Sequence, residues 1–313
     1  EGKIIGEAWM VSDHPQHESV VADGPFQGRT LRELLEENAS AVLGSGARLT
    51  AHGRFPLLLK LIDAGDVLSV QVHPDDNDAH RLGEPDAGKT EMWHVMHAEP
   101  ESTLICGLDP SASKEEFAAA IAKNGAEGIM TRFPAPAGTD VFVPAGTVHA
   151  IGGGLVLAEI QQNSDLTYRV YDWGRVDGHG RPRALHVQKA MEVTHFGSAH
   201  TGPNRPLSYA APGATCSVLA ACRHFAAERI QTFGSFSRTM SGKSFHVLLV
   251  TQGPIIIRGK ETEHRVRVGE TVMAPGSLNA YHVTGAGAFL DYYVPNLQHD
   301  ILTPLMEAGH PLE

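Results

Sequence analysis

The chain has 313 residues, 42% of them apolar, with 36 acidic against 25 basic side chains and a formal net charge of −11. That length suffices for one large or two medium domains with a sizeable core, and the acidic balance argues against general binding to nucleic acid or anionic membrane, where basic surface supplies the affinity. No apolar run reaches membrane-spanning length and the N-terminus has no signal-peptide pattern; a small anionic ligand stays open, because a few local cations suffice to hold one.

The three cysteines, Cys106, Cys216 and Cys222, are widely spaced and odd in number. They make neither a disulfide framework nor a Cys-x2-Cys pair, and read as buried thiols of a cytoplasmic protein. The chain opens on Glu1, so its start is expected to be processed or missing, with a few residues of an opening strand lost.

In chain order, residues 28–39 space Leu31, Leu34 and Leu35 as a helix, with Thr30 as N-cap and Glu33 three residues on. Residues 56–73 read as two strands, PLLLKLID and VLSVQVH, joined by an Ala-Gly-Asp turn. DDNDAHRLGEPDAGK is a polar loop with some helical character, and EMWHVMHAE and STLICGL are strands. The Ala-rich run 113–130, capped by Ser113, reads as a helical insertion. Strands resume with DVFVPAG, VHAIG, LVLAEIQQ and TYRVYDWG. Residues 174–205, rich in Gly, His, Arg and Pro, read as a linker with a short helix in HVQKAMEV. From about Leu207 the chain is again β: FAAERIQTF, SFHVLLVTQGPIIIRG, HRVRVGETVMAPG, NAYHVTG and AFLDYYVP. Many short strands punctuated by Gly and Pro predict a barrel or sandwich. A weak internal repeat exists: Gly269 to Pro275 copies the Gly-x5-Pro frame of Gly138 to Pro144, without the histidine that follows the first copy.

Two segments carry the chemistry. Gln71 and His73 alternate at the end of one strand and so point the same way. His149 follows Pro144 and Gly146, which end another strand in a fixed turn. Brought together across a small barrel, these half-sites can hold one divalent metal, with Glu91 as the fourth candidate. Such a nitrogen and oxygen set without cysteine suits zinc or another first-row metal in a catalytic rather than a structural site. With 18 histidines in the chain, each candidate alone is better explained as a surface or hydrogen-bonded side chain; the combined pattern lifts them. Lys89, two residues before Glu91, lies on the same face of an extended strand. There it can stabilise an oxyanion, or exchange a proton if its pKa falls beside a cation.

The strings PLLLKLIDAGDVLSVQVHPDD, GKTEMW, VPAGTVHAIGGG and AEIQQNSDLTYRVYDWGR resemble type I phosphomannose isomerase of the cupin superfamily, in its shorter bacterial form, strongly over residues 5–195 and loosely beyond. The resemblance implies a mainly β fold of two cupin-like, jelly-roll β-barrels with a short helical insertion. Residues 1–205 would form the metal-binding catalytic barrel and residues 206–313 a second barrel without metal ligands. It implies one Zn2+, or another divalent metal, on Gln71, His73, Glu91 and His149, and interconversion of mannose 6-phosphate with fructose 6-phosphate.

The resemblance further puts Glu159, Asp165 and Arg169 with Lys89 at the active site, Ser69 and Lys60 on the pocket floor, and Arg175 near the phosphate. Either Glu159 or Asp165 can be the base for proton transfer between C1 and C2, with a preference for Glu159; an ion pair of Asp165 with Arg169 is a competing reading. Gly88 departs from longer members, which carry a histidine just before the lysine. The implied partner is a small sugar phosphate, with neither nucleic acid nor membrane, for a cytoplasmic monomer or homodimer. Two alternatives keep the metal or the ligand and change the role: a metal-dependent dioxygenase, disfavoured by the polar cluster, and a non-catalytic sugar-phosphate-binding bicupin, disfavoured by the complete ligand set.

Overall fold

In the computed structural model, residues 6–123, 125–176, 178–197, 202–240 and 242–311 are described. Strand β1 (Glu7–Val11) leads to a short hairpin, β2 (Asp13–His14) with β3 (His17–Glu18), and then to helix α1 (Leu31–Leu43). Next come β4 (Leu57–Ala64), β5 (Val70–Val72), α2 (Asp76–Arg81), β6 (Glu91–Ala98), β7 (Thr103–Leu108) and α3 (Lys114–Ala122). A 3-10 turn at Ala126–Ile129 precedes β8 (Met130–Pro134), β9 (Asp140–Val143), β10 (His149–Ile151), β11 (Leu155–Gln162), β12 (Tyr168–Tyr171) and α4 (Val187–Val193). The remainder is β13 (Leu207–Ala211), β14 (Ala214–Ala221), β15 (Ala226–Thr239), β16 (His246–Gln252), β17 (Ile255–Arg258), β18 (Glu263–Val266), β19 (Thr271–Ala274), β20 (Ala280–Tyr293) and α5 (Thr303–Glu307). The fold is mainly β.

The chain divides into two compact units. The first takes the chain up to Ala8 with Lys60–Asn204, and the second takes Trp9–Leu59 with Arg205–Glu313. The sequence reading kept residues 9–59 in the first domain; the structure groups them with the C-terminal part. The physical reason is a set of backbone bonds that no local pattern announces. Phe245 N–H donates to Leu43 O at 3.0 Å, and Gly276 N–H donates to Val42 O at 2.8 Å. A Cβ on Gly276 would sit 2.2 Å from the nitrogen of Gly44, so only glycine allows that approach.

The first unit holds two five-stranded sheets, ordered β1-β4-β11-β6-β9 and β12-β5-β10-β7-β8. Strand alternation decides what lies on each side of the second sheet. Val70, Val72, Ile105 and Val170 turn outward and pack with Phe117 and Ile121 of α3 and Ala190 and Val193 of α4. Leu104, Cys106 and Ile151 turn inward and share a core with Ile62, Trp93, Val95, Val141, Leu155 and Leu157 of the first sheet. The two sheets therefore face each other across an apolar layer. Because Val70 and Val72 face the helices, the intervening parity (Ser69, Gln71, His73) faces inward.

The second unit is built on the order β13-β14-β15-β20-β16-β19, with β17 paired to β18 and β20. NAYHVTG and AFLDYYVP, read as two strands, are one 14-residue strand, β20, paired with β15 from Ala226↔Tyr293 to Thr239↔Ala280. The glycines that suggested a break, Gly285 and Gly287, stay in the ladder opposite Gly234 and Thr232. On one face of this pair lies a buried polar network. Tyr209 and Tyr293 donate to Glu228 at 2.8 and 3.0 Å, Tyr281 donates to Asp291 at 2.8 Å, and His246 Nδ1 lies 2.8 Å from Asp291 Oδ1. Arg238 bridges Glu228 and Asp291.

Candidate metal centre and active site

Antiparallel pairing brings the two half-sites together. β10 lies beside β5 with His149 opposite Gln71, and both project into the layer between the sheets. His73 follows β5 directly, and Glu91 opens β6 in the facing sheet. The ligating atoms of His73, Glu91 and His149 all lie within 4.8 Å of one another. His73 Nε2 is 3.4 Å from Glu91 Oε2, and His149 Nε2 is 3.3 Å from Glu91 Oε1.

The donor set fits a metal on two grounds. His73 Nδ1 is 2.8 Å from the Leu166 carbonyl and His149 Nδ1 is 2.8 Å from the Thr147 carbonyl. A carbonyl only accepts, so each Nδ1 carries the proton and each Nε2 turns a lone pair toward Glu91. His73 Nε2 and Glu91 Oε1 are also buried without a hydrogen-bond partner, which is costly unless a cation or a water meets them. A buried group able to hold a metal is thus present. Gln71 sits beside it with the amide nitrogen donating to His149 Nε2 at 3.3 Å. The amide oxygen, which ligation requires, is on the other side of that group.

Electrostatics lower both imidazoles, which favours the neutral form that ligation needs. Burial, with Lys89 nearby, pushes His73 down to about 3, and burial also lowers His149. Burial would raise Glu91, but the Lys89 ammonium outweighs it and holds the carboxyl well below its ordinary range. Lys89 Nζ lies 2.8 Å from Glu91 Oε2 and 3.8 Å from Glu159 Oε1. Burial opposes its charge, yet Glu159 and Glu91 together raise its pKa. The lowered lysine pKa allowed for in the sequence reading is therefore not what these surroundings produce. Glu159 moves the other way: burial and the repulsion of Glu91 raise it, against Lys89, Lys60 and the Trp93 N–H.

The remaining candidates fall into two groups. Lys60 is buried, 3.7 Å from Asp165 and 3.5 Å from Glu7. Arg169 lies opposite Gln71 on β12, donating from Nε to Ser69 Oγ at 3.1 Å and from Nη1 to the Ala184 carbonyl at 3.2 Å. Asp165 thus pairs with Lys60 where the competing reading had it with Arg169. Arg175 is turned to other partners: the Val67 carbonyl at 2.6 Å and Asp172 Oδ1 at 2.6 Å.

Sequence reasoning missed Trp93, whose indole N–H donates to Glu159 Oε2 at 3.0 Å while its ring meets His149 edge-on at 5.4 Å. It also missed the Arg183 contact with Asp172, the carboxylate shared with Arg175. The EMW string marked the position of Trp93, but its partner 66 residues away depends on strand register.

Comparison with known proteins bears on this site. Residues 1–104 match the family described as phosphomannose isomerase type I, catalytic domain. The chain is 36% identical over 285 residues to the mannose-6-phosphate isomerase of Streptococcus mutans, covering 90% of this chain and 86% of that one. It is 33% identical over 283 residues to the mannose-6-phosphate isomerase ManA of Bacillus subtilis, with the same coverage of 90% and 86%. The crystal structure of the mannose 6-phosphate isomerase from Bacillus subtilis superposes with a TM-score of 0.82 at 31% identity, covering 92% of this chain and 89% of the other.

Proposed function

This chain belongs to the type I phosphomannose isomerase family, and from that premise we propose that it is a metal-dependent aldose–ketose isomerase interconverting mannose 6-phosphate and fructose 6-phosphate. The observation that carries the reading is the buried His73, Glu91 and His149 group with Lys89 and Glu159 beside it. Zinc suits this group and would be held by His73, Glu91 and His149, with Gln71 joining them once its amide oxygen turned inward; imidazoles and a carboxylate without thiolate support that choice. When bound, such an ion supplies Lewis-acid polarisation of a sugar oxygen.

The chain's own residues do the rest. Glu159 takes the proton from C2 of the open-chain sugar and returns it at C1, while the hydroxyl proton passes from O2 to O1, through an enediol. Its raised pKa brings it nearer the working range of a general base. Lys89, held protonated between two carboxylates, faces the oxygen on which negative charge develops. Arg169, anchored on Ser69 and the Ala184 carbonyl, orients sugar hydroxyls with a charge that persists at all working pH. Asp165 and Lys60, as a pair, handle the ring-opening proton. Ser69 and Arg175 face the phosphate end; for Arg175 this requires release from Asp172 when substrate arrives.

No helix among the described residues is long and apolar enough to cross a membrane. The reading extends to a cytoplasmic enzyme, monomer or homodimer, acting on a small metabolite and not on nucleic acid. A coupled assay on mannose 6-phosphate, before and after chelation and zinc return, tests the reading. Fructose 6-phosphate should form, stop on chelation and resume with zinc; no metal-dependent product would overturn it.

A further inference from the structure

Successive inward positions along and just before β6 carry Lys89, Glu91 and Trp93. Across the ladder on β11, Gln161 stands opposite Glu91 and Glu159 opposite Trp93. Trp93 is fully buried and meets two parts of the site at once. Its indole N–H donates to Glu159 Oε2 at 3.0 Å, which leaves Oε1 on the side of Lys89, 3.8 Å away. Its ring stands at 69° to the His149 ring with centroids 5.4 Å apart, an edge-on arrangement that fixes the plane of a neighbouring ring. The opposite side of that imidazole is fixed by the Thr147 carbonyl.

A phenylalanine would fill most of this space and serve the apolar core as well. Beyond ring volume, indole adds the N–H, and it is spent on a carboxylate. A carboxylate held by one charge-assisted bond at one oxygen presents the other in a defined direction, and proton transfer loses rate steeply when that direction drifts.

We propose that Trp93 is a positioning residue of the isomerase, setting the direction of Glu159 through its indole N–H and tying it to the ring of His149, so that the carboxylate and the metal ligand keep one fixed relation. The inference rests on the reading of Glu159 as the C1/C2 base. Trp93 acts through Glu159 and His149, so its effect appears in kcat and not in KM or zinc content.

The test is a double-mutant cycle on the zinc-loaded protein with mannose 6-phosphate, using Trp93→Phe, Glu159→Gln and the pair, with zinc measured in each. Trp93→Phe should lower kcat by about tenfold, the scale of one misplaced proton-transfer group, with KM within about twofold and zinc stoichiometry intact. In the Glu159→Gln background the same change should cost nothing further. An equal loss in both backgrounds, or activity lost in step with zinc, overturns the inference. A second readout needs no turnover: the indole 15N–1H resonance that disappears in Trp93→Phe should move upfield in Glu159→Gln, because a neutral amide accepts more weakly than a carboxylate. An unmoved resonance also overturns it. An inactive wild-type protein overturns the function reading itself, whereas an active wild type indifferent to Trp93→Phe overturns only the role of Trp93.

Discussion

Gly88 shows how closely single residues govern this site. A Cβ there would lie 2.4 Å from both the Asp75 carbonyl carbon and the Asp76 nitrogen. The chain passes so tightly because Gly88 N–H donates to Asp76 Oδ1 at 2.9 Å and Lys89 N–H donates to the Pro74 carbonyl at 2.9 Å. Those two bonds aim Lys89 and Glu91 inward. No side chain has room at this point without a shift of the Asp75–Asp76 backbone. Local parity was legible: Gln71 with His73, and Lys89 with Glu91, share a face by period-two alternation. The site was not legible where it depended on register, as for Trp93 with Glu159 and Asp165 with Lys60. Two substitutions separate the roles. His149→Ala should lose both zinc and turnover, whereas Lys89→Ala should retain zinc and lose turnover by about 100-fold, the scale of one electrostatic donor. Elemental analysis beside initial rates reads both; near-normal turnover in Lys89→Ala would remove it from the chemistry.

At the scale of elements, cap chemistry was read reliably because it is local. Thr30 and Ser113 each form a full capping box, with Glu33 and Glu116 returning bonds to the cap backbone. Helix α3 is nevertheless shorter than the predicted insertion, ending at Ala122 before a 3-10 turn and β8. Strand lengths were read less well. β5 is only three residues, whereas β15 and β20 run to 14 each, because partner strands and not composition decide how far a ladder continues. Helix α3 covers the outward face of the sheet that bears β5, and Phe117 and Ile121 are its buried anchors. Replacing Ser113 with Ala should cost about 1 kcal/mol of stability and leave zinc binding unchanged. Thermal melts with and without zinc would show this, and a zinc-dependent difference in the loss would contradict it.

For the whole molecule, the repeated Gly-x5-Pro frame is visible in three dimensions. Gly138 and Gly269 both take positive φ, at 89° and 84°, and each precedes a four-residue strand that ends before a proline. Five residues after the first proline stands His149; five after the second stands Ala280, which likewise opens a strand. The second unit buries an ion-pair network of Glu228, Arg238, His246 and Asp291. That network carries a stability consequence. Burial would raise Asp291, but His246 and Arg238 outweigh it and hold the carboxyl below its ordinary 3.8. A group with a lowered folded pKa stabilises above its unfolded value, and the stabilisation is lost as pH falls through the folded one. Asp291→Asn should therefore destabilise the protein by about 3 kcal/mol near neutrality and flatten the decline in stability toward acid. Urea denaturation across that range reads both, and an unchanged acid slope would contradict the assignment.

The carbonyls of Leu166 and Thr147, which hold the imidazoles of His73 and His149, belong to the backbone. Many metal sites entrust that task to a carboxylate side chain, which one base change can erase. Here the tautomer of each ligand is inherited from the path of the chain, so drift at positions 147 and 166 leaves it intact.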